Sequence, residues 1–221
     1  MRESVIEDLA NTVFHCDCNP RIVFPHLRFD DDEIAGAQDP TRQLPTNALP
    51  FAYAKYLGDN LGCAIDEGII QIARVGRTVL SNFARFLYQP DFAGDVERGH
   101  AYLLVDDVVT MAGGLAALRS YIIRNGGNVI GVSVLANSKG CYQRFPIADE
   151  CLNVLRSLYG RELEVLWVGA IGHELNCLTE REGEFLMQWG RDRQVRDGVG
   201  TGTELLHCLR TRLNKAAVTG R

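Results

Sequence analysis

AYLLVDDVVTMAGGLAALRSYIIRNGGNVIGVSVLA, residues 101–136, carries the order of elements that decides the fold. Ala101 to Val105 is a continuous apolar run of strand length and Asn128 to Ala136 is another, the pattern of strands buried on both faces. Between them Leu115, Leu118 and Ile122 recur at helical spacing, and Gly126-Gly127 supplies the stop. Strand, helix and strand at this separation make a right-handed crossover between parallel strands. The fold class is therefore α/β, a central, mainly parallel sheet flanked by helices.

Upstream, Ala52, Tyr53, Tyr56, Leu57 and Leu61 predict a helix over 49–61 that Gly62 ends, and Gly68 to Ala73 (GIIQIA) reads as a buried strand. Val5, Ile6, Leu9 and Val13 form one stripe of a helix over 1–13, followed by a stretch punctuated by Pro25, Pro40, Pro45 and Pro50. Residues 74–100 are long for a plain connection, and long loops usually carry function. Downstream, a helix over 149–159 closes at Gly160, and LEVLWVGAI, 163–171, reads as one more strand. Thr179-Glu-Arg-Glu182 has the reciprocal capping pattern of a helix start, with Phe185, Leu186 and Trp189 as its inner stripe; a last helix spans 204–214 after a glycine-rich break. Residues 1–221 are read as one domain with its core at about 45–170 and with 1–44 and 171–221 as a variable hood or extensions.

The junction after the first of the two central strands carries the chemistry. In an open parallel sheet, ligands bind beyond the carboxyl ends of the strands, where the first turn of the next helix offers unpaired N–H groups to an anion. Asp106 and Asp107 leave the strand as adjacent carboxylates, and Thr110 to Gly114 is small enough for backbone to approach a ligand. Four apolar residues, two acids, two apolar residues and a short Thr/Gly-rich loop opening a helix resemble the type I phosphoribosyltransferases.

That resemblance implies that Asp106 and Asp107 take the ribose 2- and 3-hydroxyls of phosphoribosyl pyrophosphate as catalytic residues. Val108, Thr110, Met111, Ala112, Gly113 and Gly114 complete the site as the loop for its 5-phosphate. A pyrophosphate-contacting loop is placed within 39–47, with Arg42. A covering loop over 74–92 brings Arg74, Arg77 and Arg85 to the leaving pyrophosphate, Arg77 and Arg85 in a catalytic role. The implied activity is a glycosyltransferase reaction that moves phosphoribose to a nitrogenous base or amine, with Mg²⁺ carried on the donor and no protein ligand assigned to it. A homodimer is the implied assembly; the apolar 163–171 segment, with Trp167, and Phe185 and Trp189 are read as core or dimer contacts. The alternative is a noncatalytic sensor of a phosphoribosyl ligand on the same fold. Met111 and Gly114 stand where hydroxyl residues are common in that family, and Ala112 where glycine is usual; two lost side-chain hydrogen bonds to a charged group cost about 1.5–3 kcal/mol each.

Composition narrows the partners. Twenty-eight acids against 23 bases give a net charge of -5, which argues against a nonspecific hold on nucleic acid. The opening MRESVIEDLA is charged, and no apolar run approaches membrane-spanning length, so the expectation is a cytoplasmic protein without membrane contact. Seven scattered cysteines read as reduced thiols, and His15-Cys-Asp-Cys18, lacking a second ligand pair, as a local turn rather than a zinc site. No G-x-G-x-x-G follows a strand, which argues against a dinucleotide-dependent oxidoreductase. Nicotinamide cofactors are accordingly expected to leave the melting temperature unmoved, as a thermal-shift titration would read.

Overall fold

Ala101 to Val105 are each at most 2% exposed in the computed structural model, which describes residues 3–16, 19–26, 48–72, 80–137 and 145–219. They begin strand β5 (Ala101–Val109), which lies between β1 (Arg21–Val23) and β6 (Asn128–Asn137), with β2 (Ala64–Ile65) beyond β1. All three pairings in this four-stranded sheet are parallel. Helix α4 (Gly113–Arg124) makes the crossover from β5 to β6, as the spacing predicts, with Leu115, Leu118 and Ile122 each at most 1% exposed. One extra residue in β6, between the partners of Tyr102 and Leu103, forms a bulge.

The chain is divided between two compact units. The sheet unit comprises Met1–Arg74, Pro90–Val109 and Ala117–Gly140; the helical unit comprises Val75–Gln89, Thr110–Ala116 and Cys141–Arg221. In the sheet unit, α1 (Glu3–Phe14) and α2 (Ala48–Leu61) cover one face: Leu9, Val13, Tyr53 and Leu57 pack with Ile22, Leu103 and Val105. The buried Tyr53 hydroxyl is 2.6 Å from Ser133 Oγ on β6, so the pair satisfies two polar groups that burial would otherwise penalise. Gly62 ends α2 at φ 68°, a conformation that costs glycine nothing. The sheet thus reaches back into the 1–44 segment assigned above to the hood: β1 is a central strand. Three residues between Pro20 and a proline-punctuated, acidic stretch carry no periodic signal, which is why the sequence hides it.

Two strand expectations are corrected. Among the described residues of GIIQIA, Ile70–Gln71 (β3) is the strand, and it pairs antiparallel with β4 (Phe92–Ala93), apart from the main sheet. The strand that joins β1 is the preceding Ala64–Ile65, and Gly68 N–H turns back onto Asp66 Oδ1 at 2.9 Å, separating the two. LEVLWVGAI is helix α6 (Glu162–Ile171), not a strand. A short apolar run does not reveal its period; here Leu163 and Trp167, four apart, are fully buried while Val165 is 77% exposed. Glu162 and Glu164 favour the helix amino end, and Gly172 closes it at φ 89°. The covering segment also has structure: α3 (Asn82–Leu87) lies within it, capped by the Ser81 hydroxyl.

In the helical unit, α3 and α6 join α5 (Asp149–Tyr159), α7 (Glu180–Asp197) and α8 (Gly202–Thr219). Phe83, Phe86, Leu155, Trp167, Leu186 and Leu209 share its core, with Phe86 edge-on to Trp167 at 5.0 Å between ring centres. The capping box is present as read: Glu182 N–H donates to Thr179 Oγ1 at 3.1 Å, and Thr179 N–H to Glu182 Oε2 at 2.9 Å. Among the described residues Cys16, Cys63, Cys151, Cys177 and Cys208 form no disulfide, and no helix is long and apolar enough to cross a membrane.

Trp167→Ala is expected to cost about 3–5 kcal/mol and Val165→Ala less than about 0.5, a contrast that equilibrium denaturation resolves and that a strand would reverse in part. Burial, with Glu180 and Glu184 adding repulsion, pushes the Cys151 thiol from 9.0 up to about 11. Its neutral form is thus the folded form: its contribution to stability is complete below pH 9 and fades as pH climbs toward 11. Alkylation of the native protein at pH 8, mapped by peptide mass, should therefore reach the exposed Cys177 and spare Cys151 until the chain is unfolded.

Candidate functional site

The direction of the connections locates the site within the sheet unit. From β1 the chain moves outward to β2, whereas from β5 it moves the other way to β6, so the topological switch point lies between the carboxyl ends of β1 and β5. β1 ends at Val23 opposite Leu104, while β5 continues to Val109; Asp106 and Asp107 therefore project past the end of β1 at that point. They remain within the strand, paired toward β6 as far as Asn137, instead of leaving it at Val105 as the sequence reading expects. Successive strand residues face opposite ways, so Asp107 continues the row of Leu103 and Val105 toward α1 and α2, and Asp106 continues the row of Tyr102 and Leu104.

Both carboxylates are half-buried, and Val108 beyond them is 54% exposed. Each holds its own backbone: Asp107 N–H donates to Asp106 Oδ1 at 2.9 Å and Val108 N–H to Asp107 Oδ1 at 2.6 Å. These local bonds fix the side chains with one oxygen each. After β1, His26 is buried, stacked on Phe24 at 4.6 Å, with Nδ1 3.1 Å from Phe24 O and Nε2 3.1 Å from Glu67 O. Nothing in the sequence pattern singles out this residue, because a buried histidine between two loops has no spacing signature.

The loop, in the helical unit, shows the one positive φ outside glycine among the described residues: Ala112, at φ 59°. The left-handed conformation costs an L-residue about 1–2 kcal/mol, and such strain persists only where the surroundings impose it. Two contacts do so at Met111: its side chain is buried in the helical core, and its carbonyl accepts from Thr179 Oγ1 at 2.7 Å. Ala112 O then accepts from Ala116 N–H at 2.9 Å, which makes Ala112 the cap of α4. Alanine has no side-chain oxygen, and among the described residues no side-chain oxygen accepts from Gly113, Gly114 or Leu115; the first turn of α4 also has no acid. The positive end of the helix therefore carries no side-chain cap and no first-turn acid among the described residues. Thr110, half-buried, is the loop's one hydroxyl.

Of the other expected residues, Arg42, Arg74 and Arg77 lie outside the described residues, as do Asp17 and Cys18. Arg85 lies on α3 in the helical unit, its Nε buried and without a hydrogen-bond partner among the described residues. His173 is half-buried, with Nδ1 2.9 Å from Glu174 O. Among the described residues no group of three or more His, Cys, Asp and Glu side chains is placed to hold a metal ion.

No known protein-family model matches the chain. It is 31% identical over 153 residues to Protein TraN of Escherichia coli, an alignment covering 69% of this chain and 34% of that protein. It is 36% identical over 78 residues to an uncharacterized protein of Haemophilus influenzae, covering 35% of this chain and 17% of that one. The aligned residues thus span about a third of the first relative and less of the second. Similar solved structures include an adenine phosphoribosyltransferase (11% identity, 62% of this chain and 72% of that chain, TM-score 0.36) and one from Rhodothermus marinus (16%, 61% and 65%, 0.36). A hypoxanthine phosphoribosyltransferase from Trypanosoma cruzi is similar at 15% identity over 66% of this chain and 77% of that chain, with a TM-score of 0.37. The α/β assignment rests on the strand order and register described above.

Ala112→Gly is expected to leave stability unchanged or raise it by up to about 1 kcal/mol, whereas Ala112→Val, β-branched at positive φ, should lose about 2 kcal/mol or more. Chemical denaturation of the two variants beside the parent measures the difference.

Proposed function

We propose that β5 and the loop after it bind the phosphoribosyl part of phosphoribosyl pyrophosphate, and that the chain transfers phosphoribose to a nitrogenous base or amine. The observation that carries this reading is the left-handed Ala112 at an uncapped helix start, reached five residues after a pair of half-exposed carboxylates at the sheet's switch point.

In this reading the amides of Gly113, Gly114 and Leu115 hold the 5-phosphate, with Thr110 as the one side-chain donor of the loop. The carboxylates of Asp106 and Asp107 accept from the ribose hydroxyls and face the positive charge that develops on the sugar. The C1–oxygen bond to pyrophosphate breaks, the departing oxygen keeps the electron pair, and the acceptor nitrogen forms the new C1 bond and gives up its proton. Arg85, with Arg42, Arg74 and Arg77, is assigned to the leaving group's charge. Mg²⁺ would be held by the donor's own oxygens, with no residue of this chain assigned to it, and would offset the charge of the leaving pyrophosphate. A homodimer in the cytoplasm is part of the same proposal.

A second reading, a noncatalytic sensor of the same ligand, is favoured by one feature. The Met111 side chain, where a hydroxyl would meet phosphate, is buried in the helical core instead. Incubation with phosphoribosyl pyrophosphate, Mg²⁺ and a panel of bases separates the two: pyrophosphate release supports transfer, binding without turnover across the panel supports sensing, and no binding overturns both. Asp107→Asn keeps the oxygen that accepts from Val108 N–H, so the melting temperature should hold within about 0.5 kcal/mol equivalent while donor affinity drops about tenfold or more by calorimetry.

A further inference from the structure

We infer that Thr179, some seventy residues from the loop in sequence, is a positioning residue that sets which way the Ala112 amide points, and with it the entry to the amides of Gly113, Gly114 and Leu115. The inference rests on the phosphate site proposed above and deepens it. A trans peptide holds its C=O and N–H on opposite sides of one plane. With the Met111 carbonyl drawn onto Thr179 Oγ1 at 2.7 Å, the Ala112 N–H is turned away from that buried hydroxyl, and no described acceptor meets it. The same peptide, flipped, would aim a carbonyl oxygen where the phosphate is to sit and would abolish the left-handed turn at Ala112.

The hydroxyl is held firmly enough to do this. Thr179 is 1% exposed, and its neighbourhood is tied to the 145–148 stretch: Glu180 N–H donates to Phe145 O, Ile147 N–H to Leu178 O, and Ala148 N–H to Glu180 Oε2 at 2.6 Å. Its proton goes to Met111 O while a lone pair accepts from Glu182 N–H, so one hydroxyl caps α7 and fixes the loop without conflict. Any movement of the amino end of α7 therefore reaches the Met111–Ala112 peptide directly. The capping pattern in the sequence accounts for the second bond only.

The test uses the full chain with ribose 5-phosphate and inorganic phosphate as probes, read by calorimetry and by the amide resonance of Ala112. Wild type should bind ribose 5-phosphate with a large shift of that resonance. Thr179→Val, which keeps shape but loses the proton, should weaken binding about tenfold and lose the shift, a change on the scale of one hydrogen bond to a charged site. Thr179→Ser should restore both, and Thr179→Cys, a weaker donor that remains measurable if the valine variant does not fold, should fall between them. Glu182→Ala removes the side-chain half of the capping box but leaves the Met111 bond, so it should lower the melting temperature with affinity intact. Equal binding by wild type and both the Val and Cys variants would overturn the positioning role while leaving the site standing. A Glu182→Ala loss of affinity as large as that of Thr179→Val would also overturn it, assigning the effect to helix capping. No binding by wild type would remove the phosphate site itself, and the inference with it.

Discussion

Removing both faces of β5 from water is the constraint from which the rest follows. Five consecutive residues at most 2% exposed require neighbours on two edges and layers on two faces, and β1, β6, α1 and α2 supply much of that cover. Burial ends abruptly at Asp106, because two adjacent carboxylates cannot follow the apolar run inside without partners. The strand continues in its pairing with β6 after it has outrun β1. That difference in length, three residues against nine, is what leaves the acids at an open strand end at the switch point.

The loop after β5 obeys a different constraint. Met111 is claimed twice, by the helical core through its side chain and by Thr179 through its carbonyl, and Ala112 absorbs the resulting turn at positive φ. A glycine there would reach the same conformation without cost but could also leave it; an alanine held by its neighbours has less freedom to relax. The amides at this turn are consequently organised in advance, which in the proposed reading lowers the ordering cost of binding. In that reading Met111 makes a packing contact where a hydroxyl residue would meet phosphate, so the loop would depend on backbone geometry to a greater degree than a serine- or threonine-rich one.

Elements with a long period were legible. The 101–136 crossover, the helices over 49–61 and 149–159 and the capping box at Thr179 each combine a repeating apolar stripe with a stop or cap, and the structure contains all of them. Elements without a period were not. Residues 163–171 are apolar almost throughout, so their helical nature shows only once Val165 is seen in solvent and Trp167 in the core. β1 and β2, of three and two residues, are strands by virtue of their partners alone.

The sequence by itself determined that a parallel crossover exists, that two acids and a small loop sit at its first turn, and that α7 begins at Thr179, because these depend on spacing along one continuous chain. Only the tertiary structure decided which strand flanks β5, where the sheet reverses its winding, and that the Thr179 hydroxyl closes on Met111. Each of these is a contact between residues far apart in the chain. Local propensity carries no record of such a contact, since its energy arises only when the core brings the two partners together.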